Sequence, residues 1–164
     1  MADIHINIGS NQNREANISG AIEMLRMNFG ELTFSDVFES PAEGFEGDDF
    51  YNIGVNTTTT LSATDVNTIL KHIEKQFGRD QNQPKFSARV IDLDLVFYDQ
   101  MIDESLNLPR DDILRYAFVL APLAQLNPTC KHPLENQSYE ALWRQFQSRN
   151  RFQLAQYNID SIFN

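Results

Sequence analysis

A chain of 164 residues, 41% of them apolar, is long enough for one domain with its own core, spanning 1–164, and no composition break divides it. The formal net charge of -10 would repel nucleic-acid phosphates, and no Lys/Arg cluster interleaved with aromatics reverses that locally, so a nucleic-acid partner is excluded. The opening MADIHINIGS lacks a leader's basic and apolar regions, and no apolar run approaches the roughly 18 residues of a membrane span; a cytoplasmic protein without a membrane partner is expected.

Ile4, Ile6 and Ile8 alternate with His5, Asn7 and Gly9, the period-2 pattern of a half-buried strand that stops at Gly9-Ser-Asn-Gln-Asn13. From Arg14 to Asn28 the apolar positions Ile18, Ala21, Ile22 and Leu25 fall on one helical face, and Gly30 is placed to end the helix. Leu32, Phe34 and Phe38 mark a second strand broken by Pro41. Ser40–Asp49 is a loop by composition, and Tyr51–Thr60 is a third strand rich in β-branched residues. Asp65 is expected to open a second helix with Val66, Ile69, Leu70 and Ile73 on its buried stripe, closed by Gly78. Arg79–Arg89 carries Pro84 and no sustained apolar period, and reads as a long connection of the kind that often serves as a lid. A fourth strand runs Arg89–Tyr98, followed by helical pieces around 111–126 and 138–146. The order βαββαβ is that of an α+β, ferredoxin-like sheet with helices on one face, plus additional C-terminal helices. Residues 147–164 form an extension whose aromatics fit a strand, a docking segment or a self-association surface.

Within the fourth strand, Asp92 and Asp94 share one face because successive side chains alternate, while Leu93, Leu95 and Phe97 take the other and pack under the helices. Two acids on one face repel unless solvent, a cation or a neighbouring Arg offsets them. Hard divalent cations prefer carboxylate oxygens, and a pair of aspartates suits one or two Mg²⁺ ions that also meet a polyphosphate. The histidines His5, His72 and His132 have no metal-like spacing and are expected in packing or solvent roles. Cys130 has no partner for an internal disulfide, and a packing role is expected of it. There is no Gly-x-x-x-x-Gly-Lys-Ser/Thr loop, so any ATP site is of another class.

Ile8-Gly-Ser-Asn11, Phe50-Tyr-Asn52, Gly78-Arg79, Arg89-x-x-Asp92-Leu-Asp94, Leu108-Pro109 and Phe118-Val-Leu-x-Pro-Leu123 together resemble the 6-hydroxymethyl-7,8-dihydropterin pyrophosphokinase family of folate biosynthesis, over roughly residues 4 to 146. The resemblance implies a ferredoxin-like enzyme that binds two Mg²⁺ with ATP and transfers pyrophosphate to the pterin hydroxymethyl oxygen, releasing AMP. It implies metal ligation by Asp92 and Asp94 and catalytic cations at Arg79 and Arg89. Ser40, Pro41, Glu43, Phe50, Asn52, Phe86 and Phe118 are implied at the pterin, and Lys71, Lys85, Leu95, Arg110 and Arg115 at the nucleotide. The chain departs from the family pattern at Arg110, where a histidine is usual, and at Tyr116, with Arg115 one place from the expected arginine. Its 79–89 loop is poor in cations. A pterin- or nucleotide-binding paralogue without this catalysis is the alternative. The partners implied are small molecules; oligomeric state stays open, a monomer being slightly favoured.

Overall fold

The computed structural model describes residues 1–42, 48–78 and 91–163. The expectations for Glu43, Arg79, Lys85, Phe86 and Arg89 fall outside the described residues.

The elements follow as β1 (Ala2–Ser10), α1 (Arg14–Phe29), β2 (Thr33–Ser40), β3 (Phe50–Thr59), α2 (Ala63–Gln76), β4 (Asp92–Tyr98), α3 (Ala117–Leu126), α4 (Tyr139–Arg149) and β5 (Ala155–Tyr157). The sheet has the order β4-β1-β3-β2-β5 with every pairing antiparallel. One face carries Ile4, Ile6, Ile8, Ile53, Val55, Leu93 and Leu95, which bury against Ile18, Ala21, Ile22 and Leu25 of α1 and Val66, Leu70 and Ile73 of α2. At about 25 cal/mol per Å² of apolar surface removed from water, this layer is the main stabilising contact of the fold.

The additional C-terminal helices take up the other face, which the sequence alone leaves open. Pro122 of α3 packs on Gly54 of β3, closely enough that a Cβ there would lie 2.9 Å from the proline ring. A second apolar cluster, including Val96, Phe97, Ile113, Leu120, Leu123 and Leu142, fills the space between α3, α4 and that face. Among the described residues no helix is long and apolar enough to cross a membrane.

Three local expectations are corrected, and of the alternatives open for the C-terminal extension the strand is the one found. Ser62, not Asp65, caps α2: its hydroxyl accepts the Asp65 backbone N–H, with Asp65 in the first turn. Phe97 does not join Leu93 and Leu95, because the β1–β4 register jumps from Ile6↔Leu95 to His5↔Phe97; the extra residue Val96 turns Phe97 to the His5 face. Cys130 is exposed rather than packed. The C-terminal extension supplies β5, which pairs Val37 with Tyr157 and Glu39 with Ala155 and so covers the β2 edge.

Candidate active site

Three strands place the polar residues in rows across the face opposite α1 and α2. Gly9 of β1 lies between Asn52 of β3 and Asp92 of β4, and Asn7 lies between Gly54 and Asp94. A Cβ on Gly9 would stand 3.5 Å from Asn52 Oδ1, 3.9 Å from Phe50 Cδ1 and 4.0 Å from the Asp92 Cβ. The missing side chain therefore makes the floor on which an aromatic, a carboxamide and a carboxylate converge.

The Asp94 carboxyl is strongly perturbed. Burial pushes its carboxyl up to about 6, Asp92 pushes the same way, and Arg110 and Lys71 oppose them. Its Oδ1 lies 3.4 Å from Arg110 Nη2 and 3.7 Å from Lys71 Nζ. Lys71 also pairs with Glu74 at 3.3 Å, and Glu74 Oε2 accepts the Leu93 backbone N–H at 2.7 Å. α2 thus satisfies backbone groups of β4, which is the outer strand on this side of the sheet.

Glu74, Asp92 and Asp94 bring one carboxylate oxygen each to within 4.8 Å of the others. Three converging oxygens, one of them on an acid disfavoured as an anion by burial, fit a hard divalent cation. Sequence reasoning placed the two aspartates and missed Glu74. Its signal was available: it stands four residues after Leu70, on the buried stripe of α2, where a charge needs a recruited partner.

The ring-binding half is built by β2 and β3. Asn52 is buried, and its Nδ2 donates to the Phe38 carbonyl at 3.0 Å and to Ser40 Oγ at 2.9 Å. Because the Phe38 carbonyl can only accept, the amide is fixed with Oδ1 turned toward Gly9. Ser40 orients Asn52 here, while Pro41 beside it is exposed. Phe118 is half-buried at the start of α3 and stacks on Tyr116 with ring centroids 5.0 Å apart. α3 runs along β3, with Asn127 bonded to Asn56 and Pro122 over Gly54, and Phe118 lies one turn before Pro122.

Two implied nucleotide contacts are placed differently. Leu95 is 2% exposed, with its side chain in the core under α1 and α2, so only its backbone is left to meet a ligand. Arg115 pairs with Asp111 at 3.5 Å, both well exposed, whereas Arg110 reaches the Asp94 carboxylate.

The sequence pattern of the family described as 7,8-dihydro-6-hydroxymethylpterin-pyrophosphokinase matches residues 5–128. A 2-amino-4-hydroxy-6-hydroxymethyldihydropteridine pyrophosphokinase of Methylorubrum extorquens is 32% identical over 134 residues, 78% of this chain and 84% of that protein. The folate synthesis bifunctional protein of Arabidopsis thaliana is 30% identical across 86% of this chain and 30% of its own length, and the folic acid synthesis protein of Pneumocystis carinii is 35% identical across 80% and 18%. The chain thus spans less than a third of these two longer relatives. The Plasmodium falciparum HPPK-DHPS crystal structure shares the fold at a TM-score of 0.69 and 14% identity, covering 91% of this chain and 44% of that one. The chain belongs to the 7,8-dihydro-6-hydroxymethylpterin-pyrophosphokinase family.

Proposed function

We propose that the protein transfers the β,γ-pyrophosphoryl group of ATP to the hydroxymethyl oxygen of 6-hydroxymethyl-7,8-dihydropterin, in folate biosynthesis, releasing AMP. The single observation that carries this reading is the Gly9 floor, where Phe50 and Asn52 meet Asp92 across a residue with no side chain. A flat heterocycle lying there would have its ring on the aromatic side and its substituent toward the carboxylates.

Asn52 Oδ1, held as an acceptor, suits the amine and ring N–H donors on one edge of a pterin. Phe50 and Phe118 supply ring faces, and stacking adds about 0.5–1.5 kcal/mol beyond area burial. The hydroxymethyl oxygen bonds to the β-phosphorus, the bond from that phosphorus to the oxygen bridging the α-phosphate breaks, and AMP leaves with that oxygen. The hydroxyl proton is released to solvent.

The family works with ATP and Mg²⁺. In our reading Asp92, Asp94 and Glu74 would hold two Mg²⁺ ions, which when bound would polarise the phosphates and neutralise their charge. Arg110 and Lys71 stand beside Asp94 where the triphosphate would lie, and Arg79, Arg89 and Lys85 are assigned to the same charge. The cations hold the chain of phosphates in line; phosphoryl transfer is catalysed by such positioning and charge stabilisation.

The test is AMP formation, followed by chromatography, from ATP and the dihydropterin with and without Mg²⁺. AMP and a pyrophosphorylated pterin in equal amounts, only with Mg²⁺ present, are expected. Binding of both substrates with no AMP would identify a binding module instead.

A further inference from the structure

We infer that Arg110 and Lys71 act as resident counter-ions of Asp94, opposing a divalent cation that arrives alone and favouring one that arrives with a polyphosphate. This deepens the metal–nucleotide reading of the site and rests on it.

The geometry that carries the inference is how the two cations are held. Neither is hydrogen-bonded to Asp94; they stand 3.4 and 3.7 Å from Oδ1. Arg110 has its firm anchors elsewhere. Arg110 donates from Nε to Asp112 Oδ2 at 2.9 Å, and its backbone N–H donates to the Val96 carbonyl at 2.9 Å. Lys71 is held by Glu74 and by the Leu93 carbonyl at 3.4 Å. Arg110 can therefore turn its remaining donors to a new anion without leaving Asp112, and the Lys71 ammonium, loosely held, can redirect one of its three.

Among the described residues four carboxylates, Glu74, Asp92, Asp94 and Asp112, outnumber these two cations, so Arg110 and Lys71 weaken the pull on a bare divalent cation without reversing it. A bare divalent cation placed among Glu74, Asp92 and Asp94 meets two positive groups already facing Asp94, and in a partly buried site that repulsion is weakly screened. A divalent cation chelated by a triphosphate carries net negative charge to the same place, and its free phosphate oxygens offer both cations partners. Arginine suits this exchange because its planar fork presents donors on two sides, one to Asp112 and one toward the site. Metal and nucleotide affinities are thereby coupled, and the coupling is reciprocal.

The experiment is Mn²⁺ binding followed by electron paramagnetic resonance at pH 8, alone and with α,β-methylene-ATP, for the parent, Arg110→Gln, Lys71→Gln and Arg110→Lys. Folding of each variant is checked by circular dichroism. Removing the Arg110 charge is expected to tighten binding of Mn²⁺ alone and to weaken binding of the Mn²⁺–analogue complex, so that their coupling factor falls about tenfold. Arg110→Lys should keep the parent's coupling. Lys71→Gln should move both affinities in the same directions as Arg110→Gln and carries the test if Arg110→Gln does not fold. Folded Arg110→Gln and Lys71→Gln with unchanged or weaker binding of Mn²⁺ alone would overturn the inference while leaving the site reading intact. A parent that binds no Mn²⁺–analogue complex would overturn the site reading, and this inference with it.

Discussion

The same face of the sheet carries two polar clusters a few residues apart along β1, one buried and one partly buried, and they are held in opposite ways. At one end His5 is fully buried, with its Nδ1–H donating to Asn56 Oδ1 at 2.7 Å, while Asn56 and Asn127 exchange carboxamide bonds at 2.9 and 3.1 Å. Burial lowers its pKa to about 4, so the ring is neutral at pH 7 and the cluster carries no charge. At the other end Asp92 and Asp94 are flanked by Glu74, Lys71 and Arg110. In the His5 cluster the carboxamides of Asn56 and Asn127 join α3 to the sheet, and the atom left without a hydrogen bond, His5 Nε2, belongs to a neutral ring. Polar groups balanced by charges leave lone pairs and donors that a charged ligand can take over.

The glycines repeat the contrast. Gly54 lies where a Cβ would come 2.7 Å from His5 Cε1 and 2.9 Å from Pro122, so the helix can seat only on a bare backbone. Gly9 has ordinary contact distances of 3.5 to 4.0 Å around its absent Cβ, so its emptiness is not needed for packing.

The strongest way to separate the two ends is to remove the carboxylates. Asp92→Ala and Asp94→Ala are each expected to lower Mg²⁺-supported turnover about 10²–10³-fold or more with the fold retained, checked by steady-state kinetics and circular dichroism. Near-normal turnover in either would break the comparison. At the other end, Gly54→Ala is expected to cost about 1–3 kcal/mol of stability in urea unfolding, while the folded fraction keeps the parent's ligand affinity.

Acid sharpens the contrast because the two ends respond with opposite sign. His5 sits near 4 when folded against an ordinary 6.5, so its contribution is present above pH 6.5 and is lost as pH falls toward 4. Asp94 sits near 6 against an ordinary 3.8, so the folded protein takes up its proton first and gains stability as pH falls from 6 toward 3.8. Asp94→Asn removes the compensating slope. It should be about 1–3 kcal/mol more stable than the parent at pH 7 without metal, with that advantage shrinking toward pH 4. Urea titrations from pH 4 to 7.5 measure this; a constant offset across the range would mean that Asp94 titrates normally.

Smaller effects test the ring-binding half. Phe50→Ala and Phe118→Ala should each weaken pterin binding by about 1–3 kcal/mol in calorimetry and leave nucleotide affinity nearly unchanged. Equal losses for both ligands would make the residue a support of the fold. Gly9→Ala should barely change stability, yet weaken pterin binding by about 1 kcal/mol, because the added methyl rises into the space between Asn52 and Asp92.

Much of this face was legible in the sequence. The alternation of Ile4, Ile6 and Ile8 with His5, Asn7 and Gly9 fixed which residues face the helices, and Asp92-Leu-Asp94 placed both acids together. What failed has identifiable causes. Apart from Gln125 the segment Ala117–Leu126 is apolar, so no clear stripe reveals which layer it joins, and its place over Gly54 is a tertiary fact. The extra residue Val96 leaves no mark in a run of apolar residues, so Phe97 was assigned to the wrong face. The three residues of β5 are exposed and unpatterned, and they become a strand only by pairing with β2. Glu74 and the Ser62 cap did carry signals, a charge on a buried stripe and a Ser three residues before an acid.

The most direct test of the charged end as a pyrophosphoryl-transfer site is ³¹P NMR of the reaction mixture of ATP, the dihydropterin and Mg²⁺, run on the parent and on Asp94→Asn. Transfer of an intact β,γ unit predicts an AMP singlet together with a coupled pair of phosphorus signals from the pterin product, both absent in the variant. ADP with a single new phosphorus on the pterin, or signals of equal size from the folded variant, would contradict it.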